Sequence, residues 1–170
     1  MLLREEILKE HSKAQCNKIV AWVGDNQARF DQLFKLFTGN EYRVVQRAAW
    51  PISYCVIAHP NFIKKHWKQL INNLNKPNVH NAVKRNTLRF LEEVEIPEKY
   101  HGQLMDYCFT YVNTPTEPIA VKCFAMTVLS NLAKIYPDIL PELKITIENL
   151  KPYASAGLMS RASKILKQIK

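Results

Sequence analysis

The sequence predicts an all-α fold, a right-handed α-α superhelix built from stacked helix pairs. Three observations carry that expectation. One phrase returns at a fixed interval: "VVQRAAWPI" at 44–52, "AVKRNTLRF" at 82–90, "AVKCFAMTV" at 120–128 and "LMSRASKIL" at 158–166, each 38 residues after the last. Within a phrase the apolar positions recur at alternating steps of four and three residues, as on one face of a helix. Only four of the 170 residues are glycine, too few for the many tight turns of a β-rich chain. A helix pair repeated at this period cannot bury its apolar faces alone, and stacking makes the core continuous.

Taken in order, helices are expected at about 2–11, 13–23, 26–38, 42–58, 61–75, 79–94, 98–113, 117–136, 138–150 and 156–169, about ten in all. Residues 1–23 follow the period poorly and read as N-terminal capping helices, while 24–170 hold about four 38-residue repeats in a single domain. Pro60, Pro97 and Pro137 open the first helix of successive pairs, and Gly39-Asn40, Pro77-Asn78, Pro115 and Pro152 mark other breaks. The first-helix core positions are Leu33, Ile71, Phe109 and Ile147, with Trp67, Met105 and Leu143 in phase with one another. The second-helix stripe runs through Val45, Val83, Val121 and Met159, then small Ala49, Thr87, Ala125 and Ser163, then large Ile52, Phe90, Val128 and Leu166. Trp22 and Trp67 fall on core stripes. Pro51 lies inside the 42–58 helix and should kink or split it.

These phrases, with Val45-x-Arg47-x-Ala49, Val83-x-Arg85 and Val121-x-x-x-Ala125, resemble the HEAT-like, armadillo-type helical repeats over roughly residues 24–170. The chain as a whole also resembles small stand-alone HEAT-like proteins without an assigned activity. It departs from the pattern at Cys123, where the repeat arginine is missing. The resemblance implies a scaffold that binds a protein or peptide along the concave face formed by the second helices. A minority of such proteins bind DNA, including alkylpurine DNA glycosylases, and fold alone does not choose between these.

Composition narrows the classes. The net charge is +9, with basic residues spread out rather than clustered, which permits an anionic partner without naming one. Cys16, Cys55, Cys108 and Cys123 form no Cys-x-x-Cys pair and read as free thiols in a reducing compartment. The first residues, "MLLREEILKEHSK", lack the apolar core of a signal peptide, and no apolar run approaches a membrane span, so the expected location is cytoplasmic. His11, His59, His66, His80 and His101 show no metal-ligand spacing, and no phosphate-binding glycine loop or nucleophile elbow is present. No metal, cofactor or catalytic residue is expected.

Opposite the core stripe, helical spacing collects Arg43, Arg47, Trp50 and Tyr54 on one helix, Asn81, Arg85, Leu88 and Glu92 on the next, Ile119, Cys123 and Met126 on the third, and Arg161 and Lys164 on the last. Arginine forks grip carboxylates or phosphates, and Trp50 and Tyr54 offer stacking or anchoring surfaces. Arg47, Arg85 and Arg161 serve equally well as bonds between neighbouring helices. Leu88, Ile119 and Met126, if solvent-facing, form an apolar strip of the kind that marks a partner site. Arg89 and Glu93 are spaced for a surface ion pair. The expected function is therefore a non-enzymatic scaffold for a protein or peptide, as monomer or homodimer, with DNA binding as the alternative. A glycosylase would need a carboxylate beside the aromatic pair, and Glu92 is the only one on this face.

Overall fold

The four phrases fold as the second members of four helix pairs in a computed structural model that describes residues 1–169. The helices are α1 (Leu3–Lys9), α2 (Lys13–Val23), α3 (Gln27–Phe37), α4 (Tyr42–Ala58), α5 (Trp67–Leu74), α6 (Asn81–Leu91), α7 (His101–Asn113), α8 (Ile119–Ala133), α9 (Leu140–Leu150) and α10 (Ala156–Gln168). No strand occurs among the described residues. The four phrases lie in α4, α6, α8 and α10, preceded in the chain by α3, α5, α7 and α9 respectively.

Helix starts follow from side chains that accept otherwise unpaired backbone donors. Ser12, Asn26 and Ser155 accept from Gln15, Arg29 and Leu158 at the starts of α2, α3 and α10. His80 does the same for α6 through its Nδ1, 2.9 Å from the Ala82 N–H. At the end of α2, Gly24 takes a φ of +53°, which a side chain would resist, and its N–H closes on the Val20 carbonyl.

The prolines act differently from expectation. Pro60 and Pro137 begin 3-10 turns, Pro60–His66 and Pro137–Ile139, and Pro97 precedes another at Glu98–Tyr100. The α-helices behind them therefore start later than 61, 98 and 138. Proline fixes φ but brings no donor, so the chain tightens for a turn before the α ladder begins. Conversely, Pro51 does not split α4, which runs unbroken from Tyr42 to Ala58. One missing hydrogen bond is outweighed there by burial, because α4 packs against α1, α2, α3 and α6.

The packing groups into two compact units, one of Met1–Val94 and one beginning at Glu95. In the first, α4 is the hub, and Ile7, Ile19, Phe30, Leu33, Phe34, Ile52, Leu70 and Phe90 are sealed from solvent. A polar clamp joins α3 to the 3-10 turn at Pro60–His66: Asp31 accepts from Lys65 (2.6 Å) and Gln27 (2.9 Å), and His66 Nε2 lies 2.7 Å away. Burial alone would raise the Asp31 carboxyl, but these bonds prevail and hold it at about 2. In the second unit α8 is the hub, against α7, α9 and α10. Nine of its fifteen residues are buried, so its apolar surface runs nearly all round.

The last repeat slips by one residue. Leu158, Ala162 and Ile165 are buried, whereas Met159 and Leu166 are partly exposed and Ser163 is exposed. Counted from Val121, Ala125 and Val128, the structural interval is 37, not 38. A similar shift affects α7, where Leu104 and Cys108 are sealed and Met105 and Phe109 are half-buried.

Candidate partner-binding ridge

α4 presents Arg43, Arg47, Trp50 and Tyr54 at steps of four, three and four residues, so their side chains share one face. Arg43 is exposed, and the other three are partly buried. The Trp50 and Tyr54 rings lie 6.4 Å apart, within the range of aromatic pairing. His11, in the link between α1 and α2, adds a third ring 5.9 Å from Trp50. From α6, the Arg89 guanidinium sits 4.7 Å over the Tyr54 ring, a cation–π distance. Hydrogen bonding from Arg89, and then from Trp50, also draws the Tyr54 phenol below its ordinary range. Arg85 stands one turn earlier on α6 and is exposed. The result is a partly buried patch of three rings and a guanidinium, flanked by two exposed arginines.

Arg47 belongs to this face by position but is committed elsewhere. Its Nη1 donates to the Leu8 carbonyl at 2.7 Å and lies 3.4 Å from that of Ile7. Both are acceptors at the end of α1, left open by the helix and favoured by a cation. Arg47 thus pins the capping helix to the first repeat.

The apolar strip does not form. Leu88 and Met126 are fully buried, and Ile119 alone of the three is exposed. α6 and α8 each bury more than a single stripe, so a position opposite the main stripe is still covered. In the second unit, Arg161 donates to Thr127 Oγ1 at 2.6 Å, and its guanidinium lies 6.0 Å from the Phe124 ring centroid. The one-residue slip takes it out of phase with Arg47 and Arg85. Lys164 is exposed.

Of the tryptophans, Trp67 is buried, whereas Trp22 is partly exposed with Arg29 5.4 Å from its ring. The remaining histidines are engaged in packing. His59 stacks on Phe62 and His66 on Phe34, while His101 bridges the Ile96 carbonyl (2.7 Å) and the Tyr136 hydroxyl (3.0 Å). Cys16, Cys55 and Cys108 are buried free thiols, pushed above their ordinary range by burial, and Cys123 is partly exposed. Among the described residues no group of three His, Cys, Asp or Glu gathers as metal ligands, and no helix is long and apolar enough to cross a membrane.

Two members of the ridge are not visible as such in the sequence. Arg89 reads there as the partner of Glu93, although its spacing of four from Arg85 places both on one face of α6. His11 lies outside any helix, so no periodicity reaches it. Among known proteins, no curated protein and no solved structure matches the chain. The family model of the HEAT repeat domain does match, over residues 3–169. Helix pairs in series, hub helices formed by the second members, and a family match across nearly the whole length agree: the chain belongs to the HEAT repeat domain family.

Proposed function

We propose that this chain is a non-enzymatic scaffold whose first unit binds an acidic protein segment on the Trp50–Tyr54–Arg89 ridge. The observation that carries this reading is Arg89 held over Tyr54 beside Trp50 and His11. Aromatic rings and arginines are the side chains that dominate protein interfaces, and here they are ordered before binding, which lowers the entropy cost of association. Exposed Arg43 and Arg85 offer bidentate partners to Asp or Glu. The buried thiols of Cys16, Cys55 and Cys108 suit a reducing compartment such as the cytoplasm.

A nucleic-acid partner is the second reading, favoured by charge. The first unit has fifteen Lys and Arg against eight Asp and Glu, a net +7 of the total +9. Fluorescence anisotropy separates the two. The probes are a labelled peptide alternating Glu with Leu and Phe, and a labelled DNA duplex, each at about 50 and 200 mM salt. The scaffold reading expects the peptide to bind more tightly than the duplex, with Trp50→Ala or Arg85→Ala costing about tenfold or more. Duplex binding that is tighter, and that falls roughly 10³-fold across this salt range, transfers the ridge to phosphate recognition.

A further inference from the structure

We infer that the second unit carries a pocket for an organic carboxylate: a single carboxylate group on an apolar body, held by Lys122. No residue of the ridge contributes to it, so it stands apart from the reading above. A cavity of about 440 Å³ lies where α7 and α9 end and α8 and α10 begin. That size falls in the range of small-molecule sites, about 300–1,000 Å³. Its walls include Ile119, Leu150 and Leu158, which suit an apolar body.

Lys122 gives the pocket its chemistry. It lines the cavity, is only 7% exposed, and its ammonium has no hydrogen-bond or ion-pair partner among the described residues. An ammonium that reaches the cavity from an otherwise covered side chain, with no counter-ion, is better satisfied by an anion there. Two helix starts favour the same sign of ligand. Ile119 of α8 and Leu158 of α10 lie in first turns that line the cavity. The start of α8 is preceded by Pro118 and has no side-chain cap, which leaves its first N–H groups without that partner. Glu117 also lines the wall, and its negative charge opposes a multiply charged phosphate more than a single carboxylate.

Calorimetry and thermal melting of the full chain test this with three probes: 4-phenylbutyrate, its uncharged amide, and inorganic phosphate. The carboxylate should bind and raise Tm, with the amide weaker by about tenfold or more, because only the ion pairs with the Lys122 ammonium. Phosphate should bind no better than the amide. Lys122→Met, which keeps length and removes charge, should erase the preference for the carboxylate and melt at or above the wild type. Lys122→Arg should retain the preference. The inference is overturned by equal binding of acid and amide, by tighter binding of phosphate, or by no binding of the carboxylate. It is also overturned if Lys122→Met melts well below the wild type, since the ammonium would then be satisfied by the protein itself.

Discussion

Arg47 donates to two carbonyls at the end of α1, while Arg85, at the equivalent place in the next repeat, stands exposed. Replacing each by alanine should separate them. Arg47→Ala removes a charged donor from partly buried acceptors and should cost about 1–2 kcal/mol, a Tm fall of roughly 2–8 °C for a chain of this size. Arg85→Ala should leave Tm nearly unchanged while weakening peptide binding. Thermal melts followed by circular dichroism decide it, and an equal loss in both variants would make Arg85 structural and remove it from the ridge. The two arginines look alike in the sequence because the repeat phrase contains no information about α1, which lies outside the period. Trp50 and Tyr54 were legible as a surface pair, since spacing alone aligns them. Leu88 and Met126 were not legible as buried, since a hub helix covers more than one face and periodicity shows only the strongest.

α6 begins at a histidine, and that gives one element a pH-dependent start. His80 Nδ1 accepts the Ala82 N–H, so the cap requires an unprotonated ring. The ring is partly buried, 4.5 Å from Tyr42, and burial lowers its pKa below the ordinary 6.5. A lowered histidine pKa means that the unfolded chain binds the proton more readily. The contribution to stability is therefore complete above about pH 6.5 and is lost as the pH falls below it. His80→Asn keeps a capping acceptor without the titration. Between pH 7.5 and 5 the wild type should lose more stability than this variant, by up to the worth of a cap, about 1 kcal/mol, read from melts at the two pH values. Parallel curves for the two proteins would show that another group governs the range. At this scale most of the fold was readable, because Ser12, Asn26 and Ser155 are conventional starts and the phrases fell in helices α4, α6, α8 and α10. The slip in α10 was not, because the sequence phrase still aligns at 38 while the buried face has turned to Leu158, Ala162 and Ile165.

Across the whole molecule the charge is unevenly shared: +7 falls on residues 1–94 and +2 on residues 95–170. A basic protein attracts acidic partners in general, and that attraction must be told apart from recognition at a built surface. Counter-ions screen charge beyond about 8 Å at physiological salt, so a ridge that recognises its partner depends on its own arginines rather than on the total. Arg43→Glu with Arg85→Glu, and Lys164→Glu with Lys167→Glu, change the net charge by the same amount, and all four positions are exposed. Neither pair should disturb folding, because none of the four side chains is sealed in a core. At about 150 mM salt the first pair should weaken binding of the acidic peptide by tenfold or more and flatten its salt dependence. The second should change affinity by less than about threefold. Anisotropy titrations on the two variants read the difference directly. Equal losses would mean that the peptide senses only the overall charge, and the Trp50–Tyr54–Arg89 patch would then have no claim to be the binding surface.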